Sequence, residues 1–500
     1  MPNSSANDQY LERFPDGSKS KTKWLAELAK LDDKLAARHH AMDYSTTAAF
    51  ENVAVYAPAL SEGWVNTIQA AIDRPEDFHF PQFADFELVA EDLQFTNPNS
   101  RLCFYPWVLY SAGQAVNVDS ADQSRAWKSN WLTQQPRDPN VVVIGDSGGF
   151  QILQQTMSFH GNPTVKRILK WLEEVADYSM VLDFPTSGIS SGVFVEHTRR
   201  LMQEGVPIET LAQQEGLDSG LVTSLVQTIR NNRTYVRAQN PKQTKILNVL
   251  QGRNEEESKY WFERVKAFPF EGWSFAGKHH SELAMTLRRL IEMRDSGLLA
   301  RCEWIHFLGV STFKVAAVLT YLQRALREHT NAKSVQISFD SKSPVDVVIN
   351  GYKPIIGYDF DPDKWTFRVE TLPLQECASD TRMLNEIGRD WQNEKPNRHI
   401  AKTALSYRLQ LNQLVSFNSD RNRYLPNGLQ QALLIHHNSQ AFFEGFRRSY
   451  SYLNDGGYSQ RPKELRLMEM YIQQVFKSEN PMSVIDALQD QLNVLGSENL

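Results

Sequence analysis

Five hundred residues are enough for two or three domains, and 41% hydrophobic with 22% charged residues is the balance of an ordinary globular chain. No run approaches the roughly 18 consecutive apolar residues of a membrane span, and residues 1–23 lack the apolar stretch of a secretion signal, so a cytosolic chain is expected. The net charge of −6 argues against nonspecific coating of nucleic acid, but it is uneven, with 16 acidic against 8 basic residues over 1–100 and 11 basic against 4 acidic over 395–466, which puts any polyanion contact in the C-terminal third.

Residues 1–20 read as disordered. Trp24, Leu25, Leu28, Leu31, Leu35 and Ala36 then recur at helical spacing over 24–39, and 65–72 reads as a short helix. From Leu102 the pattern changes. Apolar runs of strand length cover 103–110, 141–145, 180–182, 246–250, 273–276, 304–310 and 335–339, alternating with helical patterns over 165–178, 255–267, 281–297 and 313–329. Such alternation predicts parallel βα units and an α/β fold, a (β/α)8 TIM-type barrel. Seven strands are visible; the eighth is expected near 53–56 or within 188–244. Beyond Pro344, residues 345–357 read as a hairpin turning at Asn350-Gly351. Helices are predicted over 380–390, 401–417, 429–453, 463–477 and 481–495. The expected organisation is an N-terminal extension over 1–95, a catalytic barrel over 96–345, and a hairpin with a mainly helical subdomain over 346–500.

The strand ends carry the chemistry. Asp146, Asp183, Gln251, Gly277 and Asp340 each follow an apolar run, at the end where barrel enzymes gather their catalytic side chains. A lone Asp there is equally well a helix N-cap; three with an amide point to a site. No GxGxxG follows an early strand, which disfavours a dinucleotide fold. In Asp146-Ser147-Gly148-Gly149-Phe150-Gln151 the glycine pair permits close backbone approach to a ligand, and the aromatic offers a flat apolar face.

That hexapeptide, DSGGFQ, resembles the signature of the tRNA-guanine transglycosylases, the family of queuine and archaeosine enzymes. The likeness continues in order through Asp183 in Leu182-Asp183-Phe184-Pro185-Thr186, Gln251-Gly252, the segment 276–282 with Gly277 and Glu282, Leu308-Gly309-Val310 and Phe339-Asp340-Ser341, and it spans residues 105–450. Exchange of a base with retained configuration needs two inversions. The resemblance implies Asp340 as nucleophile and Asp146 as the acid and base that protonates the departing guanine and deprotonates its replacement. It implies Asp183 as acceptor from the ring N1–H and amine, Gln251 and the Gly277 N–H as donors to the ring carbonyl, Phe150 and Leu308 as the sandwich around the ring, and Glu282 as a further base-binding residue. No cofactor is called for, and the target base must leave its stack.

The family's structural zinc is held by three cysteines and a histidine, of which this chain offers only Cys377 and His437, so no metal is expected. His279-His280 reads against a metal too, since adjacent residues point apart. Ser341-Lys342-Ser343-Pro344 replaces the basic stretch that follows the nucleophile in bacterial tRNA enzymes, and Lys278-His279 replaces the pair that recognises the base side group. These departures resemble the DNA-modifying branch, which inserts a 7-deazaguanine such as 7-cyano-7-deazaguanine. The expected partners are DNA in preference to tRNA, the free base, and an ATPase that opens the duplex, with no membrane. Arg398, Lys402, Arg408, Arg447, Arg448, Arg461, Lys463 and Arg466 are the candidate phosphate contacts. A tRNA enzyme of queuosine or archaeosine type is the first alternative, and an inactive partner subunit the second.

Overall fold

The computed structural model describes residues 42–494 except 47–49, 122–126, 128, 135–136, 190–191, 362–364, 375–376, 395–397 and 456–460. The predictions for 1–20 and 24–39 lie outside the described residues.

Eight parallel strands form one sheet: β1 (Val55–Pro58), β2 (Trp107–Ser111), β3 (Val142–Asp146), β4 (Tyr178–Met180), β5 (Lys245–Leu250), β6 (Gly272–Phe275), β7 (Trp304–Phe307) and β8 (Gln336–Ser341). Their spatial order is β1-β8-β7-β6-β5-β4-β3-β2, and a parallel bridge between Ala59 and Leu109, with Leu60 N–H donating to Leu109 O at 3.0 Å, joins the two ends. The protein is a (β/α)8 barrel. Every residue of β1, β6 and β7 is buried, which is why these strands read as continuous apolar runs and not as alternating ones. The barrel therefore begins at Val55, inside the stretch read as an N-terminal extension, and the second proposed location for the eighth strand, 188–244, holds helices instead: Gly192–Gln203, Ile208–Glu215 and Ser219–Ala238.

The outer layer contains α1 (Glu62–Asp73), α2 (Asn162–Val175), α3 (Ser219–Ala238), α4 (Glu255–Val265), α5 (Leu283–Asp295) and α6 (Phe313–His329). Side-chain caps set several starts: Ser61 accepts from Trp64 N–H, Asn254 from Glu257 N–H and Thr312 from Val315 N–H. After β8 the chain forms α7 (Ser343–Gly351), so the hairpin expected over 345–357 is wrong. Pro344 sits in the first turn, where its missing N–H costs nothing, and Val345 and Val348 bury one helical face. Asn350-Gly351 closes this helix, with Tyr352 in a left-handed conformation donating to Val348 O at 2.8 Å. The strand that follows, β9 (Ile355–Asp361), pairs antiparallel with β10 (Thr366–Thr371) and β11 (Arg398–Ile400).

Next come α8 (Leu384–Asn393), α9 (Gly428–Asp455), α10 (Lys463–Lys477), α11 (Pro481–Ala487) and α12 (Gln489–Asn493). The helix predicted over 401–417 is absent. Thr403 and Ser406 bond each other's backbone N–H groups at 3.2 and 3.0 Å, and such local side-chain bonds compete with helical ones. Long α9 packs on β1 between α1 and α6, the place of the barrel's eighth outer helix. Phe446 fixes it there, its ring 4.7 Å from Tyr56, 4.5 Å from Phe313 and 5.3 Å from Phe339. Asn438 stitches the same helix to the small sheet, accepting from Ile355 N–H at 2.9 Å and donating to Lys353 O at 3.0 Å. Among the described residues no helix is long and apolar enough to cross a membrane. Truncating fully buried Phe446 to Ala should cost about 3–5 kcal/mol in urea unfolding; a loss below about 1 kcal/mol would show that α9 is held elsewhere.

Candidate active site

Alternation along a strand sends every second side chain into the lumen. On β7 these are Trp304 and His306, and on β8 Ser338 and Asp340, with Ser338 directly opposite His306. Tyr178 and Trp304 lie 4.4 Å apart between ring centres, with the Lys245 ammonium over Tyr178, and they floor the lumen. The polar groups gather above that floor, at the C-terminal ends.

Asp146 is the last residue of β3, paired across the ladder with Ser111, whose hydroxyl donates to its Oδ2 at 2.5 Å. Asp183 follows β4 and is 6% exposed; Gln251 follows β5 and donates through Nε2 to Asp183 Oδ2 at 2.7 Å, while its Oε1 accepts from Thr186 at 3.1 Å. Helix α3 holds the backbone around Asp183, with Asn231 donating to Leu182 O at 2.8 Å and Thr228 Oγ1 accepting from Phe184 N–H at 3.0 Å. Asp340 lies in β8, and its Oδ1 accepts from His306 Nε2 at 3.2 Å and from Gly309 N–H at 3.0 Å. No hydrogen bond to Asp340 Oδ2 is found among the described residues.

These carboxylates feel one another. Burial pushes the Asp146 carboxyl above the ordinary range and the Asp340 charge adds to that, against the opposing bond from Ser111; the residue keeps part of its surface open, but protein packs densely around the carboxyl. Burial likewise lifts Asp183 from 3.8 to about 7, helped by the Asp146 charge and opposed by the Gln251 donor. The structure thus brings Asp146, Asp183, Gln251 and Asp340 into one cluster.

The glycine pair works differently from its expected role. A Cβ on Gly148, whose φ is +83°, would meet Gly113 N at 2.6 Å, and one on Gly149 would meet Asp183 O at 2.3 Å. The space is taken by protein backbone, so the turn after β3 packs through Gly148 on the chain after β2 and through Gly149 on the Asp183 strand end. Gly277 is likewise pressed against Gly252, where a Cβ would lie 2.5 Å from the carbonyl oxygen. Phe150 stands 51% exposed beyond Gly149, and Leu308 is half-buried beside Gly309. A cavity of about 640 Å³ lies to one side of the cluster, lined by residues such as Glu62, Asn117, Trp127, Gln154 and Lys342 and by none of Asp146, Asp183, Gln251 and Asp340.

Other expected residues lie apart from this cluster. The Glu282 carboxylate accepts from Asn493 Nδ2 at 2.7 Å, so it anchors the C-terminal segment. Arg408 pairs with Asp85 at 2.6 Å, Arg447 with Glu444 at 2.8 Å and Arg461 with Glu469 at 2.9 Å, while Arg398 pairs with Glu394 and lies over Trp391. Arg448 contacts His399; Lys402 and Arg466 are half-buried and Lys463 is exposed at the start of α10. His437 spends both ring nitrogens inside the fold, on Thr403 Oγ1 at 2.7 Å and Ile355 O at 2.8 Å, and Cys377 contacts Pro373 O. His279 is enclosed between Ala276 O and Ser258, and burial drops its pKa to about 4 against the opposing bond to Ala276 O. His280 is half-buried in the field of Asp340, with Nδ1 enclosed and unpartnered. The residue that the sequence reading passes over is His306; a histidine inside an otherwise apolar strand run was the available signal.

No protein-family model matches the chain, and no curated protein matches it.

Since the folded Asp183 holds its proton more tightly than an ordinary carboxyl does, its ionisation costs stability that is absent below pH 3.8 and complete above about pH 7. Asp183→Asn should therefore stabilise the protein at about pH 8, by a few kcal/mol, and leave it near neutral at about pH 4. Thermal melts at both values check this; an equal change at both pH values would refute the proton assignment.

Proposed function

We propose that this chain is a glycosyltransferase of the guanine-transglycosylase kind. It exchanges a guanine of a polynucleotide, DNA in preference to tRNA, for a free 7-deazaguanine such as 7-cyano-7-deazaguanine. The observation that carries this reading is the convergence of Asp146, Asp183 and Asp340 from three strand ends, close enough that the Asp340 charge raises Asp146 and the Asp146 charge raises Asp183.

Each carboxylate has one task. In the first step a lone pair on Asp340 Oδ2 forms a bond to the sugar C1′ as the C1′–N bond breaks, and Asp146 gives its proton to the departing nitrogen. Burial and the neighbouring Asp340 charge favour the protonated form of Asp146, the form that an acid needs. In the second step a nitrogen of the incoming base forms the C1′–N bond, its proton returns to Asp146, and the C1′–Oδ2 electron pair returns to Asp340. Two displacements on opposite faces retain configuration. Asp183 accepts from the ring N1–H and amine, and those two donors favour its ionised form against the burial that lifts it to about 7 in the free protein. Gln251 keeps one N–H beyond the one spent on Asp183, and it serves the ring carbonyl together with Gly277 N–H. Exposed Phe150 covers one ring face and Leu308 the other. An ATPase partner would open the duplex so that the target base can leave its stack.

The preference for DNA rests on the sequence 341–344, Ser-Lys-Ser-Pro, which carries one basic residue where tRNA enzymes carry two arginines. Arg398, Arg408, Arg447 and Arg461 are held in internal ion pairs, so in this reading a backbone contact falls first to Lys463, exposed at the start of α10.

Labelled guanine supplied with duplex DNA, single-stranded DNA or tRNA decides the substrate: incorporation into DNA is expected, and incorporation into tRNA alone would reassign it. Asp340→Asn should lower exchange by more than about 10⁴-fold and abolish any covalent adduct while leaving the melting curve in place. Normal exchange by that variant would sink the nucleophile assignment.

A further inference from the structure

We infer that His306 is a positioning residue that assigns the two oxygens of Asp340 different tasks, an inference that rests on the base-exchange reading. The observation is a directional chain of hydrogen bonds across β7 and β8. Trp304 Nε1–H can only donate, and it donates to Ser338 Oγ at 2.6 Å. The Ser338 hydroxyl proton has one acceptor among the described residues, His306 Nδ1 at 2.8 Å. An imidazole that accepts at Nδ1 carries its proton at Nε2. That Nε2–H then points at Asp340 Oδ1, 3.2 Å away, beside the Gly309 N–H at 3.0 Å. Trp304, His306 and Ser338 are all buried, His306 and Ser338 completely, so water does not compete for these bonds.

Both donors therefore converge on Oδ1, and Oδ2 is the oxygen that bonds C1′. In the covalent intermediate Oδ1 becomes the ester carbonyl oxygen, still held by His306 and Gly309. When the C1′–Oδ2 bond breaks, the electron pair returns to the carboxylate and negative charge spreads onto Oδ1. Donors already in place stabilise that charge without reorganisation. The same donors oppose the first step slightly, because they stabilise the free carboxylate. His306 thus favours resolution of the intermediate over its formation, a partition that a purely structural histidine would not move. The tautomer is set by Trp304 and Ser338, two residues that touch neither base nor sugar.

The test measures the steady-state fraction of full-length protein covalently bound to the polynucleotide, together with the exchange rate and KM for the free base. His306→Leu removes the donor. Exchange should fall by about 10- to 100-fold, the adduct fraction should rise above wild type, and KM for the base should stay unchanged. His306→Gln places an amide N–H near the position of Nε2 and should restore most of the rate and the wild-type adduct fraction. Ser338→Ala frees the tautomer without emptying the histidine's space and should show the same accumulation to a smaller degree, which keeps the inference testable if the leucine variant does not fold. Adduct formation and exchange that fall together, or a glutamine variant no better than leucine, would overturn the positioning role. A wild-type chain that forms adduct on neither DNA nor tRNA would overturn the base-exchange reading and this role with it; wild-type adduct with no rise in the variants overturns this role alone.

Discussion

Burying several carboxylates in one place is the constraint around which the rest of this barrel is arranged. Like charges at short range in a poorly solvated crown disfavour one another's ionised form. Asp146 and Asp183 show the effect directly, each raised by burial and by a neighbouring acid. The compensating donors come from every side: Ser111 to Asp146, Gln251 to Asp183, His306 and Gly309 to Asp340. Within the barrel, burial and neighbouring charge favour the protonated forms of Asp146 and Asp183, and the donors around them oppose that.

The sequence made the strand ends legible because two rules act together. Apolar runs of three to eight residues marked seven of the strands, and the first polar residue after each run lies at the C-terminal edge. Asp146, Gln251 and Asp340 were found by that rule alone. What the sequence hid was parity inside the strands. In a run such as Trp304-Ile305-His306-Phe307 every residue is buried, so burial gives no hint that Trp304 and His306 face the lumen while Ile305 and Phe307 face the helices. The opposite error came at Asn350-Gly351, where a dipeptide typical of hairpins closes a helix: Val345 and Val348 outweigh the turn signal once Pro344 has started α7. The charge gradient is silent on pairing for a related reason, since counting arginines cannot reveal that Asp85, Glu444 and Glu469 hold three of them.

The C-terminal third is less a separate unit than the missing wall of the barrel. Helix α9 covers β1, α10 packs along α6, and α11 and α12 lie on α5, where Asn493 reaches both Ala284 N–H and Glu282. His436, His437 and Asn438 all serve this docking, tying α9 to Leu93, Thr403, Ile355 and Lys353. A position that the family likeness associates with a metal ligand is here spent on hydrogen bonds that join helix to sheet.

That arrangement fixes an order of events during synthesis. Strand β1 leaves the ribosome early, yet the aromatic face of Tyr56 waits for Phe446, some 390 positions later. Nascent chains usually consolidate from the N-terminus onward. Here an apolar seam stays uncovered through most of translation, so chaperone protection and the pace of the last hundred codons bear on yield as much as the final stability does.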